Sequence, residues 1–148
     1  MNSKTAFIAA LLLACALSQA FTAPIEPAEI RVKDGNTIYV GQDEYRLVGF
    51  DAPDIYVSAK CDAEHKRGGL ARARLQQIVE GGKLDFTENA CPCPPGTHGT
   101  WFCNYGRKCG TLLAADGDDV GLILIREGHA RAFTCGKYGC PRRKSWCY

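Results

Sequence analysis

The chain carries little net charge. Its 18 Lys and Arg stand against 16 Asp and Glu, a formal +2. A surplus that small sets up no global field to draw in a polyanion, so nucleic-acid binding requires a local patch. Long apolar runs are scarce too. Ala6 to Leu17 is such a run, too short to span a bilayer once processed, so no stable membrane span is expected. The cysteines lack the C-x2-C spacing of a zinc knuckle, because Cys91 and Cys93 are separated by one proline. Zinc on Cys91, Cys93, Cys103, Cys109 and His98 is therefore the weaker reading, and disulfides are the stronger.

Cysteine itself is abundant, with nine in 148 residues. Residues 1–20 read as a signal peptide: Lys4 gives a positive start, the Ala6 to Leu17 run follows, and Ser18-Gln19-Ala20 offers a small-x-small cleavage site. Leu12-Leu13-Ala14-Cys15 also resembles a bacterial lipobox, which makes a lipoprotein through Cys15 the minority alternative. Eight cysteines follow the leader: Cys61, Cys91, Cys93, Cys103, Cys109, Cys135, Cys140 and Cys147. An even count in an exported small chain implies a disulfide framework, whose pairing stays open. Residues 21–148 are enough for one domain with one core. A secreted or periplasmic monomer is expected.

Residues Ile30 to Lys33, Thr37 to Val40 and Tyr45 to Phe50 predict three strands, joined by turns at Asp34-Gly35-Asn36 and Gly41-Gln42-Asp43. Asp62 to Val79 predicts a helix capped by Asp62, with Ala71, Leu75, Ile78 and Val79 on one face. Arg67, Arg72 and Arg74 lie off that face and read as a solvated basic surface. Gly68-Gly69 interrupts the helical pattern at roughly 1 kcal/mol per glycine, with no reason visible in the sequence. Gly81-Gly82 ends the helix. Lys83 to Glu88 is a strand, and NACPCPPGTHGTWFCNYGRKCG is a long loop. Cys109 to Ala115 is a further strand. Val120 to Glu127 is a second helix with Leu122, Ile123 and Ile125 facing the core, and Gly128 supplies a left-handed cap. Phe133 returns to the sheet. The end of the chain, CGKYGCPRRKSWCY, reads as a disulfide-pinned tail. Arg142-Arg143-Lys144 with Trp146 offer phosphate binding and base stacking, but a soluble tail whose Trp146 packs on the core is the preferred reading.

The chemistry gathers around VKDGNTIYVGQDEYRLVGFDAPD. Asp34, Asn36, Asp51 and Asp54 place short oxygen-bearing side chains at strand ends, which suits a hard cation such as calcium. Arg46 lies mid-strand, where a guanidinium needs an anion or a solvent face. Phosphodiester hydrolysis needs an aligned water and neutralisation of charge growing on the phosphate. Arg46 and Arg107 can clamp a phosphate, and Asp54 can orient or deprotonate the water. On the residues alone, surface salt bridges between these arginines and the acidic loop are the better reading.

DGNT, YRLVGFDAPD, Tyr105-Gly106-Arg107 and DGDDVGLILIREGHAR together resemble the staphylococcal nuclease (thermonuclease-like) family, over roughly Ile30 to Phe133. The resemblance implies an α+β, mainly β fold: a five-stranded OB-type barrel with two flanking helices, here with a disulfide-rich loop and a C-terminal tail. It implies that Arg46 and Arg107 are catalytic, that Asp51 and the Ala52 carbonyl bind calcium, and that Tyr105 lines a nucleotide pocket. Two positions depart from the family. Asn36 stands where the family has a second metal-binding aspartate, and Asp54 where it has a catalytic glutamate. Asparagine keeps an oxygen but removes a charge, so calcium should bind more weakly. Asp34 remains as an indirect ligand. The expectation is a calcium-dependent nuclease acting on DNA or RNA with low sequence specificity, attenuated to the extent that these two departures weaken its site. The alternative is a catalytically degenerate OB module that binds nucleic acid, another anionic polymer or a protein.

Overall fold

The structure, a computed structural model, describes residues 24–148. The signal-peptide reading and Cys15 lie outside the described residues. Seven strands and two helices follow: β1 (Ile30–Asp34), β2 (Thr37–Val40), β3 (Asp43–Leu47), β4 (Gly49–Asp51), α1 (Asp62–Glu80), β5 (Asp85–Asn89), β6 (Lys108–Leu113), α2 (Val120–Arg126) and β7 (Arg131–Phe133). Five strands form one sheet in the order β1-β2-β3-β6-β5, and β4 and β7 pair separately. The first three strands are an antiparallel meander, and β6 joins β3 in parallel. β1 and β5 remain the edges of that sheet, so the described strands form a mixed α+β fold without hydrogen-bonded closure into a barrel.

The alternation in β3 sends Tyr45 and Leu47 into the core and Arg46 to the opposite face. The strand expected over Tyr45 to Phe50 is in fact two. Gly49 takes φ of +93°, a conformation that favours glycine, and turns the chain out of the first sheet. β4 then pairs with β7, with Asp51 opposite Arg131. This break carries Asp51 away from the large sheet, into the strand pair that packs on α2.

The core joins Ile30, Ile38, Leu47 and Phe50 to Leu75, Val79, Leu112 and Leu124. Ala71, Leu75, Ile78 and Val79 all point inward from α1, as their spacing predicts. The cap of α1 differs from expectation. Cys61 is the N-cap, and its sulfur accepts from the Glu64 amide. In α2 the inward residues include Ile123 and Leu124, while Leu122 is exposed and so is no core contact. Asp119 caps this helix by accepting from the Leu122 amide at 3.0 Å.

Gly68 finds its reason in packing. A Cβ there would lie 2.4 Å from the Asp54 carbonyl oxygen and 2.8 Å from that of Pro53. The loop after β4 rests directly on α1, and only glycine leaves room. Gly69 faces open space. All eight described cysteines pair: Cys61–Cys147, Cys91–Cys109, Cys93–Cys103 and Cys135–Cys140. The four candidate zinc-knuckle cysteines are thereby used in disulfides. The tail forms no helix, and Cys147 ties its end to the start of α1. No helix among the described residues is long and apolar enough to cross a membrane. Four disulfides are consistent with an extracellular or periplasmic protein.

Candidate phosphate site

Thr37 stands at the centre of the site. It is fully buried in β2 and lies directly across from Arg46 on β3. Arg107, just before β6, donates from Nη1 to the Thr37 hydroxyl at 3.2 Å. Both arginines therefore flank one residue.

Arg46 donates from Nη2 to the Phe50 carbonyl at 2.9 Å and lies 3.7 Å from Asp51 Oδ1. Its Nη1 is buried with no hydrogen-bond partner among the described residues. A buried orphan donor costs about 1–3 kcal/mol, and more on a charged group. Burial pulls the guanidinium down to about 10, against the pull of Asp51, and the charges of Arg107 and Arg143 add to the depression.

Arg107 is positioned by a strained turn. Asn104, Tyr105 and Gly106 all have positive φ, of 53°, 58° and 77°. Asn104 binds both ends of Arg107: its carbonyl accepts from Nε at 3.1 Å and its Oδ1 accepts from Nη2 at 2.9 Å. The disulfides Cys91–Cys109 and Cys93–Cys103 brace the loop around this turn. Non-glycine residues in this region persist only when their surroundings hold them there. The turn leaves Tyr105 exposed, with Trp101 against it edge-on at 4.9 Å and the Arg107 guanidinium 5.5 Å from its ring centre.

The acidic side is built by close packing. Asp34 Oδ1 accepts from the Asn36 amide at 2.9 Å and shapes the β1–β2 turn. A Cβ on Gly35 would lie 2.7 Å from Ala52 Cβ, so this turn abuts the loop after β4. Asn36 is buried, and its Oδ1 accepts from Thr37 Oγ1 at 3.3 Å. Glu64 is buried beneath the loop, where it accepts from the amides of Asp54 and Lys60 at 3.4 and 2.8 Å. In the sequence Glu64 looks like any first-turn acid; only the fold shows that it holds the loop.

The tail covers the predicted cation ligands. Arg143 Nε lies 2.9 Å from Asp51 Oδ1, an ion pair whose N–H points off the line of a hydrogen bond. Its Nη1 donates to Asp54 Oδ2 at 2.7 Å and its Nη2 to the Ala52 carbonyl at 3.1 Å. Burial works against its charge, but Asp54 and Asp51 outweigh burial and hold the guanidinium above its ordinary value. Trp146 is buried and donates to Asp51 Oδ2 at 3.2 Å, so it packs inward instead of offering a base-stacking face. Arg131 lies over its ring at 3.6 Å, and Arg67 donates to its carbonyl.

This arrangement does not fit calcium while the tail is seated. A calcium ion takes six to eight oxygen ligands. Both Asp51 oxygens, one Asp54 oxygen and the Ala52 carbonyl already face the tail, and the Asn36 amide oxygen serves Thr37. Among the described residues, no group of three His, Cys, Asp or Glu is placed to hold a metal. The sequence singles out Arg46, Arg107, Asp34, Asn36, Asp51, Ala52, Asp54 and Tyr105, and the fold brings them to one region. It adds Thr37 and Glu64, and it brings Arg143 and Trp146 of the tail onto the acidic residues. A cleft of about 530 Å³ adjoins the site at Pro53 and Trp146, is lined besides by Leu70, Glu127, Arg131 and Tyr148, and includes none of those eight residues.

No protein-family model matches the chain. It is 27% identical over 111 residues to Endonuclease YhcR of Bacillus subtilis (strain 168). The match covers 70% of this chain and only 8% of that protein. The likeness supports a nuclease-related relationship at a distance.

Proposed function

We propose that the chain is an exported phosphodiesterase of the staphylococcal nuclease type that cleaves DNA or RNA with little sequence preference. The convergence of Arg46 and Arg107 on Thr37, with one Arg46 nitrogen buried and unpartnered, carries this reading. Two arginines that flank one residue offer planar forks matched to phosphate oxygens. They stabilise the charge that grows on the phosphoryl oxygens as the bond to the leaving oxygen breaks. Asp54 keeps its Oδ1 for a water, since Arg143 takes only Oδ2. Tyr105 and Trp101 present exposed rings beside Arg107, and unpaired bases stack on such rings. Single-stranded nucleic acid is therefore the preferred substrate. The β1–β3 meander, with the chain bending into β4, supports an OB-type arrangement. Calcium, implied by the family resemblance, would have to displace Arg143 from its three acceptors.

The test is cleavage of single-stranded DNA by the oxidised chain across a calcium titration with a chelator control. Arg46→Ala and Arg107→Ala should each lower turnover by about a hundredfold or more, the scale for losing one charge-stabilising donor. Full turnover in either variant would sink the proposal.

One observation favours a second reading, a binding module without catalysis. Asp54 is a methylene shorter than the family's glutamate, and Arg143 holds one of its oxygens. That reading expects DNA retention without cleavage, and no gain of activity in Asn36→Asp with Asp54→Glu.

A further inference from the structure

We infer that Arg143 is the resident cation of this site, a tethered guanidinium that fills the place of a divalent ion and makes phosphate binding independent of metal. The inference deepens the proposed function and rests on the same phosphate site.

The argument begins with the acceptors. Asp51, Asp54 and the Ala52 carbonyl converge on one guanidinium through three different nitrogens. These are the groups that the family resemblance assigns to calcium and to the water beside it. A single tail residue engages all three, and nothing else in the tail competes for them except Trp146, which takes the second oxygen of Asp51.

Charge explains the departure at Asn36. A divalent ion brings two positive charges, and a guanidinium brings one. Asparagine in place of aspartate removes one negative charge from the donors. The two differences cancel, so the net charge presented to a phosphate by this corner is unchanged. A site that kept the second aspartate around a monovalent cation would be one charge too negative beside Arg46 and Arg107.

Geometry leaves Arg143 able to act on a ligand. A guanidinium has five N–H donors. Each Nη uses one on the loop, and among the described residues the second N–H of each has no acceptor. The side chain is one-third exposed, so those donors are within reach of a bound anion. Arg46 lies beside it, bridged by Asp51 Oδ1, which is 2.9 Å from one arginine and 3.7 Å from the other. Positive charge thus accumulates at one edge of a shared carboxylate, as it would around a bound metal.

The tether makes the cation permanent. Trp146 is wedged between Arg131 and Asp51, Arg67 holds its carbonyl, and Cys147 is bonded to Cys61 at the head of α1. A group held this way needs no concentration in the medium to occupy its site. A simple plug would also block the acceptors, but a plug should oppose anion binding, whereas Arg143 adds a cation to it.

The test compares the full oxidised chain with Arg143→Gln. Binding of labelled single-stranded DNA and of inorganic phosphate would be measured with a chelator and with excess calcium, and calcium binding by titration calorimetry. The wild-type chain should bind DNA equally with and without calcium, and should give no calcium heat. In Arg143→Gln, affinity in chelator should fall at least about tenfold, and calcium should restore it as the vacated oxygens accept the ion. Cys61→Ser with Cys147→Ser, which releases the tail without touching Arg143, should move the same way and serves if the glutamine variant fails to fold. Calcium-dependent DNA binding by the wild-type chain would overturn the inference. So would tighter DNA binding by Arg143→Gln in chelator, the signature of a plug, or variants indistinguishable from wild type. Cleavage separates the two claims. The predicted calcium pattern without any cleavage would keep the resident cation and remove the nuclease reading. Calcium-dependent cleavage by the wild type, indifferent to Arg143→Gln, would do the reverse.

Discussion

Gly68 and Gly69 are neighbours in α1 with opposite reasons to be glycine. At Gly68 an added methyl would meet two carbonyl oxygens of the loop that carries Asp54, at 2.4 and 2.8 Å. At Gly69 it would meet nothing within 4 Å. Gly68→Ala should therefore cost about 1–3 kcal/mol through overpacking. Gly69→Ala should gain up to about 1 kcal/mol through helix propensity. Urea midpoints of the two variants check the opposite signs, and a shared sign would refute the packing account. Arg46 shows the reverse balance, with stability given up for function. Burial holds its folded value at about 10, well below the ordinary guanidinium range. A cation depressed in this way destabilises the fold at every pH where it is charged, and the penalty is relieved only as pH rises above about 10. Arg46→Met should thus raise stability at neutral pH by about 1 kcal/mol, the lost bond to Phe50 discounting the gain, while abolishing DNA binding. A less stable variant would show that the arginine is structural. At this scale the sequence was informative about which side chains the fold gathers into one region. It was silent about partners, because Arg143 is 89 positions from Asp54 and no local pattern links them.

Between elements, legibility depended on whether the signal was local. Strand alternation and helical spacing located β1, β2, β5, β6 and both helices, because each pattern is written within a few residues. The break at Gly49 was missed, since the apolar run continues through Phe50 and only a partner strand 82 residues away, where Ala132 faces Phe50, makes it visible. The capping of α1 by Cys61 was missed for a similar reason: a sulfur is an uncommon cap, and here a disulfide fixes it in place. The contact between the two helices includes Arg74, which donates to both oxygens of Glu127 at 2.6 and 2.8 Å. Arg74, read as part of a solvated face, is thus a link between helices. The pair is about one-third exposed, so solvent screens it and about 0.5 kcal/mol is the appropriate scale. The hydrogen bond from Arg74 holds Glu127 below its ordinary 4.5. Its contribution is therefore full above about pH 4.5 and is lost as pH falls through the lowered value. Arg74→Ala should destabilise by about 0.5 kcal/mol at pH 7 and progressively less as pH falls below 4.5, as a series of denaturation curves would show.

For the molecule as a whole, the disulfides differ most in what they enclose. Cys61–Cys147 spans 86 positions and encloses α1, β5, β6, α2 and β7, whereas Cys135–Cys140 spans five. In the chain-entropy account the longer loop is worth about 4–5 kcal/mol and the shorter about 2 kcal/mol, since the cost of closure grows with the logarithm of length. Replacing both cysteines of each pair by serine should reproduce that order in urea unfolding. The long pair has a second consequence that the short one lacks. It fastens the segment bearing Arg143 and Trp146 across the β4 loop, so its loss should uncover Asp51 and Asp54 as well as lower stability. The uncovering has its own readout, because Trp146 moves from a buried site against Arg131 into water. Its fluorescence should shift to the red in the Cys61→Ser, Cys147→Ser chain under conditions where circular dichroism still reports an intact fold. A red shift that appears only together with global unfolding would mean that the tail stays docked by Arg143 and Trp146 alone, and that the disulfide acts on the unfolded chain and not on the site.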